Sequence, residues 1–267
     1  MTEVASFPPG TPCWADLSTS DLAGALAFYS ELFGWEPGET GGPETGGYTM
    51  FSLRGLPVAA AAPQMAQQAE QGVPPAWTTY IAVDDVDEAA GRIEPLGGTL
   101  LAPPFDVLQF GRMCVFTDPS GAPVALWESR THEGAGVVNE PGAMCWNELT
   151  TRDPDAAGTF FEQLLGWEVD RKGPDAADYR EFRLSDGETN VAGCMPMVGD
   201  MWPEWLPAHW MVYFAVDDVD AVAGRAAELG GTVSVPPTDI VPGRFAVLSD
   251  PQGAVFSVIR MDPGGHA

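Results

Sequence analysis

Two tryptophan–carboxylate pairs recur along this chain at a spacing of 132 residues: Trp14 stands two residues before Asp16, and Trp146 stands two residues before Glu148. Residues two apart on a strand share one face, so each carboxylate is predicted to lie beside its indole. Removal from water raises the pKa of a carboxylate, which suits it to act as a general base. The indoles could equally form flat apolar walls for a planar ligand. Catalysis by the carboxylates and ligand binding by the tryptophans are both open at this point.

His209 is a third candidate for proton transfer. It lies four residues before Tyr213 and is expected on the same strand face. There it could accept a proton or hydrogen-bond a ligand, and the alternative is a structural polar residue at the strand end. The other histidines, His132 and His266, fall in a predicted connection and at the tail. The three histidines therefore predict no metal site.

Two further features are candidate ligand contacts. Trp202 and Trp205 belong to a Trp-Pro segment with no counterpart in the first half, which is typical of a lid or of a local hydrophobic clasp. Arg112 and Arg244 occupy equivalent positions in the two halves. They are expected either to contact an oxygen-rich ligand or to anchor the preceding loop.

Several enzyme classes lack their sequence motifs. The chain contains no G-x-S-x-G, no G-x-x-x-x-G-K-[ST], and no G-x-G-x-x-G that opens a helix. Its four cysteines include no C-x-x-C pair, and Cys13 and Cys145 are predicted to be small buried residues. Serine hydrolase, P-loop and dinucleotide-binding chemistry therefore have no support.

The elements that must position these residues also recur. In each half, alternating and helical apolar patterns predict strand, helix and strands, twice in succession. The sequence thus predicts four βαβββ units in two domains, residues 1–130 and 142–262, with a linker at 131–141. Each half is expected to bury its own core. The repeated segments are Phe28–Glu36 with Phe160–Glu168, Tyr80–Asp87 with Tyr213–Asp220, and Gly111–Gly121 with Gly243–Gly253.

Local signals place the ends of the helices. Asp21 and Asp153 are predicted N-caps, and Gly34 and Gly97 are predicted to end the first two helices. Residues 63–75 are predicted as a connection between the first two units.

In its order of elements and in the quoted segments, the chain resembles the vicinal oxygen chelate superfamily, which includes glyoxalase I, extradiol dioxygenases and bleomycin-resistance proteins. The tandem members that it resembles come from mycobacteria and from anthracycline pathways. The resemblance implies an α+β fold in which curved mixed sheets enclose clefts.

Metal-dependent members carry a ligand on the first or last strand of each unit, pointing into the cleft. None of the corresponding residues here is a histidine or a carboxylate, so the resemblance implies no metal and no cofactor. Small residues at 59–62 and 192–193 are expected to leave room opposite the aromatic walls, which include Trp127. The residues at the ligand positions are Trp14, Tyr80, Trp146 and Tyr213 on first strands, and Ala60, Ala125, Gly193 and Ser257 on last strands.

Composition excludes some partners. Twelve Lys and Arg against 38 Asp and Glu give a net charge of −26, which opposes binding to nucleic acids and anionic membranes. No apolar run approaches the roughly 20 residues of a membrane helix. The first residues lack the features of a signal peptide, so a cytoplasmic location is expected. The same charge favours a cationic small molecule, or simply maintains a solvated acidic surface.

The expected function is binding without chemistry: sequestration or hand-over of an aromatic, cationic natural product such as an anthracycline, in antibiotic biosynthesis or self-resistance. The alternative is an enzyme, either a metal-independent oxygenase or hydroxylase auxiliary or a glyoxalase-like detoxification enzyme, with Asp16, Glu148 and His209 as its acids and bases. The expected partners are the ligand and, in one alternative, a biosynthetic oxygenase. Both a monomer and a homodimer are compatible with this reading.

The halves are not expected to be equivalent. Trp202, Trp205 and His209 cluster in the sequence before the strand of Tyr213, and the first half has no aromatic residue there before Trp77. One dominant ligand site with this segment in its wall is therefore predicted. On this view Trp205→Ala weakens binding by roughly 1–3 kcal/mol, the range for a stacked aromatic ring.

Overall fold

The computed structural model describes residues 3–172, 178–200 and 202–262, which form two eight-stranded sheets and five α-helices within those ranges. The first half contains β1 (Pro12–Thr19), α1 (Leu22–Phe33), β2 (Glu36–Pro37), β3 (Thr49–Leu53), β4 (Leu56–Pro63), α2 (Ala66–Glu70), β5 (Ala76–Ala82), α3 (Val86–Ile93), β6 (Thr99–Val107), β7 (Gly111–Thr117) and β8 (Pro123–Ser129). The second contains β9 (Met144–Thr151), α4 (Pro154–Leu165), β10 (Glu168–Arg171), β11 (Arg180–Arg183), β12 (Asn190–Pro196), β13 (His209–Ala215), α5 (Val219–Glu228), β14 (Thr232–Ile240), β15 (Gly243–Ser249) and β16 (Val255–Met261).

Each sheet joins two consecutive βαβββ units edge to edge. The first has the strand order β2-β3-β4-β1-β5-β8-β7-β6, and the second has the order β10-β11-β12-β9-β13-β16-β15-β14. Within a unit the first and last strands run parallel, and the two first strands of each half meet antiparallel. The predicted α+β fold of four units is confirmed. The two units of each half pair with each other in one sheet.

The helix starts follow the predicted capping chemistry. Asp21 Oδ1 accepts a hydrogen bond from the backbone N–H of Gly24 at 3.0 Å, and Asp153 caps α4 in the same way at 2.9 Å. At Gly34, φ is 71°, a conformation that side-chain-bearing residues rarely adopt, so the glycine ends α1 as predicted. The segment 63–75, predicted as a connection, contains the short helix α2.

The apolar cores are shared between the halves, and the expectation that each half buries its own core is wrong. One core packs Phe28, Tyr29 and Trp35 of the first half against Phe214 and Phe256 of the second. The other combines the α3 side of the first sheet with the α4 side of the second. Helical periodicity indicates which face of an element is buried but not which element covers it, and here the cover comes from the other half.

Buried hydrogen bonds also tie the halves together across these cores. Trp35 Nε1 donates to the carbonyl of Gly142 at 2.6 Å, and Trp167 Nε1 donates to the carbonyl of Gly10 at 2.8 Å. Thr79 Oγ1 donates to Asn147 Oδ1 at 2.8 Å. Trp35 and Trp167 are therefore packing residues, buried and bonded across the boundary between the halves.

The segment predicted as a linker runs along the first sheet. The backbone N–H groups of Thr131 and His132 donate to the carbonyl of Phe110 at 3.1 Å each. Further on, the N–H of Ala135 donates to the carbonyl of Cys13 at 2.8 Å. These bonds hold residues 131–135 against the face of that sheet that carries Trp14. The exact domain limits stay a prediction. None of the helices in the described part of the chain is long and apolar enough to cross a membrane.

Candidate ligand-binding site

A carboxylate on the open face of the first sheet collects two tyrosine hydroxyls. Tyr80 donates to Asp16 Oδ2 at 2.7 Å, and Tyr48 donates to the same oxygen at 3.2 Å. Trp14 Nε1 donates to the hydroxyl oxygen of Tyr48 at 2.9 Å. We call Trp14, Asp16, Tyr48 and Tyr80 the first cluster. The antiparallel register of β1 and β5 brings these residues together, because Trp14 lies directly opposite Tyr80.

The second sheet repeats this arrangement with a longer carboxylate. Tyr213 donates to Glu148 Oε1 at 3.0 Å, and Tyr179 forms a further hydrogen bond with Glu148. Trp146 Nε1 donates to the hydroxyl oxygen of Tyr179 at 3.0 Å. We call Trp146, Glu148, Tyr179 and Tyr213 the second cluster. Trp146 lies opposite Tyr213, as Trp14 lies opposite Tyr80.

Burial dominates the electrostatics of both clusters. It raises the pKa of the Asp16 carboxyl to about 6, against the lowering effect of the hydrogen bonds from Tyr80 and Tyr48. Burial likewise raises the pKa of Glu148. Burial and the neighbouring carboxylates hold the pKa values of Tyr48, Tyr80, Tyr179 and Tyr213 well above 10, the usual value. At neutral pH the tyrosines are therefore donors, and each chain of hydrogen bonds ends on its carboxylate.

Gly193 lies directly beneath the second cluster. A Cβ atom at this position would lie 1.8 Å from the hydroxyl oxygen of Tyr179 and 2.8 Å from Trp146 Nε1. The expectation that the small residues at 192–193 leave room for a ligand is therefore wrong at Gly193, because the Tyr179 hydroxyl fills that space. The glycine permits the Trp146–Tyr179 hydrogen bond.

The first cluster is covered by the chain itself. The ring centroid of His132 lies 4.6 Å from that of Trp14 and 5.8 Å from that of Trp127, edge-on to both. Trp127 Nε1 donates to the carbonyl of His132 at 2.9 Å. Trp14 is consequently only 3% exposed. His132, which was predicted to lie in the linker, packs on the indoles of Trp14 and Trp127.

In the second cluster the indole is more exposed and the carboxylate is more buried than in the first. Trp146 is half-buried, and among the described residues no aromatic ring packs on it. Glu148 and Tyr213 are buried. Apolar side chains pack beside Trp146 and Tyr213; they are those of Met211, Phe245, Val247, Ile259 and Met261.

The predicted arginine contacts lie in surface ion pairs. Arg112 Nε lies 2.7 Å from Asp87 Oδ2 and its Nη1 lies 2.9 Å from Asp106 Oδ1. Arg244 makes the equivalent pairs with Asp220 and Asp239. Each guanidinium thus ties a helix start to a hairpin, which is the anchoring geometry. Ligand contact by these arginines stays a prediction.

The second-half aromatic segment lies beside the start of β13. Trp205 is 79% exposed, while Trp202 is half-buried. His209 lies opposite Thr150, four residues along β9 from Trp146, and its Nδ1 lies 2.9 Å from the carbonyl oxygen of Pro207. Burial lowers the pKa of His209. The structure therefore does not include these three residues in the second cluster, and His266 lies outside the described residues.

The residues at the family's metal-ligand positions do not fit a metal. An indole N–H is a donor only, alanine and glycine offer no ligand atom, and the tyrosine hydroxyls are committed to the carboxylates. Across residues 3–172, 178–200 and 202–262, no group of three or more His, Cys, Asp or Glu side chains could hold a metal ion. Each cluster contributes a single carboxylate. The predicted absence of metal and cofactor stays a prediction.

A surface depression of about 460 Å³ lies elsewhere, between α4 and the end of the α3 segment. Leu96, Pro119, Asp155 and Phe160 are among its lining residues. It belongs to the helical side of the molecule and includes no member of either cluster.

Sequence reasoning missed Tyr48 and Tyr179. They follow Trp14 and Trp146 by 34 and 33 residues, on poorly repeated segments. The available signal was the tyrosine count: the chain has five tyrosines, and four of them belong to the two clusters.

Comparison with known proteins agrees with this architecture. Residues 13–126 match the model of the Glyoxalase/Bleomycin resistance protein/Dioxygenase superfamily, and residues 144–259 match that of the Glyoxalase-like domain. The chain belongs to this superfamily and carries two tandem copies of its domain.

Two relatives align with this chain over nearly the whole length of both partners. "Putative glyoxylase CFP32" of Mycobacterium tuberculosis is 47% identical over 98% of this chain and 99% of its own length. The "Anthracycline biosynthesis protein DnrV" of Streptomyces peucetius is 40% identical over 97% of this chain and 96% of its own.

Solved structures of other proteins share the fold at low identity. The Mn(II)-bound glyoxalase from Novosphingobium aromaticivorans superposes with a TM-score of 0.63 at 17% identity, covering 96% of this chain and 85% of that one. The 2,3-dioxygenase LapB from Pseudomonas sp. KL28 gives 0.64 at 16% identity, covering 96% and 94%. These likenesses concern the fold alone.

Proposed function

We propose that this protein binds a flat aromatic small molecule in the second cleft, without a metal, and that it sequesters or hands over that molecule. One observation carries the proposal: the half-buried Trp146 has no stacked or edge-on ring partner in the described chain, and it lies beside buried polar groups and apolar side chains. A binding site for a planar ligand needs such a wall together with a few fixed polar groups.

The ligand class follows from charge and from the relatives. A net charge of −26 attracts cations over long range. The printed name of the Streptomyces relative assigns that protein to anthracycline biosynthesis. An amino-sugar anthracycline combines a planar polycycle with a positive charge, so we propose this class, bound in the cytoplasm as part of antibiotic biosynthesis or self-resistance.

The test is a titration of daunorubicin with the protein, followed by fluorescence polarisation of the ligand and by calorimetry. We expect a stoichiometry near one. Trp146→Ala should weaken binding about 10-fold or more, because stacking on an aromatic ring contributes about 1–3 kcal/mol. The repeat-matched variant Trp14→Ala should weaken it much less, because His132 covers Trp14. Two equal sites, or equal losses in both variants, would contradict the proposal of one site in the second half.

A metal-independent enzyme is a second candidate function, favoured by the buried carboxylate in each cluster. Turnover that survives chelators and disappears in Glu148→Gln would support it. Turnover that requires an added metal would oppose it.

A further inference from the structure

A groove on the helical side of the molecule lies between the two halves. Its volume is about 460 Å³, and it runs along α4, opposite Leu96 and Pro119 of the first half. The buried Phe160 contributes an apolar surface, and Asp153 and Asp155 line the end at which α4 begins. Cavities of this volume bind small molecules where an apolar surface and a few polar groups meet. We call this cavity the α4 groove.

The repeat provides a second site with the same packing, between α1 and the turn at residues 250–253. An added Cβ at Gly98 would lie 3.1 Å from Cε2 of Phe160, and one at Gly231 would lie 3.2 Å from Cε2 of Phe28. Each helix therefore packs its phenylalanine against the glycine that follows a helix of the other half. We call this second site the α1 groove, and the two grooves can be compared residue by residue.

The chain fills the α1 groove with one of its own side chains. A Cβ on Gly24 would lie 3.0 Å from Nε2 of Gln252 and 2.4 Å from Oδ2 of Asp21, so the Gln252 amide lies beside this carboxylate at the start of α1. In the α4 groove Ser120 stands at the position of Gln252. Its hydroxyl donates to Asp118 Oδ1 at 2.6 Å, within its own turn. The α4 groove is open because a serine replaces the glutamine.

α4 also carries polar groups that α1 lacks. Asp155 and Thr159 line the α4 groove at the positions of Ala23 and Ala27 in α1. Because they lie four residues apart, they share one face of the helix. Asp155 Oδ1 lies 2.9 Å from Nη1 of Arg180, and the Asp155 side chain is 66% exposed. A carboxylate has about four acceptor sites, so Asp155 can accept a further donor from a ligand.

We propose that the α4 groove binds a small primary amine with an apolar body. The ammonium group lies at Asp153 and Asp155, and the apolar part lies on Phe160. In this arrangement the N–H groups of the ammonium take the place that the Gln252 amide occupies in the α1 groove. The second carboxylate favours a charged donor over a neutral amide. This site is separate from the ligand site proposed above, because its lining includes no member of either cluster.

The charges around the groove place the cation at one end. A helix N-terminus favours negative charge, and Asp153 and Asp155 already supply it at the start of α4. Towards the other end of α4, Arg92 donates to the carbonyl oxygen of Gln163. An anion at the start of α4 would be repelled by both carboxylates. The net charge of −26 adds a long-range attraction for cations.

The first experiment titrates 2-phenylethylamine into the full chain at neutral pH and follows binding by backbone amide NMR and calorimetry. We expect saturable binding of one molecule, with the largest shifts at the amides of α4 and of residues 118–121. 2-Phenylethanol and 3-phenylpropionate replace the ammonium by a neutral and an anionic group, and each should bind at least about fivefold more weakly. Asp153→Asn removes a charge and keeps a capping side chain, so it should weaken amine binding about three- to fivefold, the effect of one exposed ion pair.

A second experiment fills the groove. Ser120→Gln combined with Ala156→Gly places at α4 the residue pair that closes the α1 groove, Gln252 and Gly24. This variant should lower amine affinity at least about 10-fold, because the amide takes up the volume that the probe needs. Gln252→Ser, which alters only the α1 groove, is the matched control and should retain the affinity at α4. Thermal melts verify that the variants are folded.

Unchanged amine binding in the filled variant would overturn the proposal, as would equal binding of the amine, the alcohol and the carboxylate. Trp146→Ala separates this site from the second cleft, because it leaves the α4 groove intact. Amine binding that disappears in Trp146→Ala and persists in the filled variant would assign the amine to the second cleft and overturn the groove. Absence of any amine binding would overturn the groove and leave the daunorubicin site standing.

Discussion

Each cluster has a negatively charged carboxylate at its centre, where a metal site would have a cation. Where metal-dependent members of the fold direct ligands at a cation, this chain directs two tyrosine hydroxyls at a carboxylate, and an indole N–H donates to one of those hydroxyls. A carboxylate in apolar surroundings is costly unless it is hydrogen-bonded, which explains why two tyrosines accompany each one. The raised carboxyl pKa values show that the hydrogen bonds offset only part of that cost.

Gly193 makes the geometry of the second cluster sensitive to one methyl group. In Gly193→Ala the new Cβ would meet the Tyr179 hydroxyl, so we expect Tyr179 to move and its bonds to Trp146 and Glu148 to break. Trp146 fluorescence should shift, because the indole N–H loses its hydrogen-bond acceptor on Tyr179. The conservative comparison is Tyr179→Phe in the Gly193→Ala background. If that double variant is no worse than Gly193→Ala alone, the glycine acts through Tyr179.

The Asp16 carboxyl predicts a pH effect on stability. Its pKa is about 6 in the folded protein against 3.8 for the free group, so the folded state binds more protons between these values. The contribution of Asp16 to stability therefore falls as pH rises from about 4 to 6. Relative to Asp16→Asn, the wild type should lose about 1–3 kcal/mol of unfolding free energy across this window. Denaturant titrations at pH 4 and pH 7 measure the difference, and parallel pH profiles for the two proteins would contradict the assignment.

The clusters were only partly predictable from the sequence. Period-two alternation and the repeat identified Trp14, Asp16, Trp146 and Glu148, and the family resemblance added the tyrosine on each facing strand. Tyr48 and Tyr179 could not be found this way, because their contacts depend on a parallel strand pairing and on segments whose spacing differs between the halves. The role of His132 depends on the path of an irregular segment, for which sequence periodicity gives no signal.

At the scale of elements, equivalent helices carry different chemistry. The Tyr29 hydroxyl on α1 accepts a hydrogen bond from Trp77 Nε1 at 3.0 Å and donates to Asp250 Oδ2 at 3.2 Å. On α4 the equivalent residue is Phe161, and its ring meets that of Trp210 in nearly the same geometry, at 5.6 Å and 87° against 5.2 Å and 86°. Trp210 Nε1 and Asp118 Oδ2 are buried without a hydrogen-bond partner in the described chain. Phe161 has no hydroxyl, so the Trp210 donor and the Asp118 acceptor lack the partner that Tyr29 provides to their counterparts.

Restoring that hydroxyl should stabilise the protein. We expect Phe161→Tyr to raise the unfolding free energy by about 1 kcal/mol, because one oxygen can satisfy a buried donor and a buried acceptor. The matched variant Tyr29→Phe should lower it by about 1–3 kcal/mol, since it leaves both partners unsatisfied. Thermal melts of the two variants beside the wild type measure the effect. A destabilised Phe161→Tyr protein would show that the space at the ring edge is too small for the oxygen.

At the scale of the whole molecule, the duplicated halves form one folding unit. The sheets are built within halves, but each core is covered from the other half, and the tryptophans at the ends of α1 and α4 donate across the boundary. The repeat and the element order were visible in the sequence. The packing of each half against the other was not visible, because the two halves have similar apolar faces. Periodicity does not show whether such a face packs within its own half or against the other half.

This covering predicts that neither half is stable as a monomer. Expressed separately, residues 1–141 and 142–267 should self-associate or lose cooperative thermal unfolding, since each would expose the apolar face of a shared core. Mixed together, they should assemble one to one, because Thr79 finds its acceptor only on Asn147. In a self-paired first half Thr79 would face Ala15, the repeat counterpart of Asn147, and its hydroxyl would be buried without that partner. Sedimentation and near-ultraviolet circular dichroism of the separate and mixed halves measure these outcomes. A monomeric, cooperatively folded half would contradict the shared-core account, and failure of the mixture to prefer the heterodimer would contradict the role of Thr79 and Asn147.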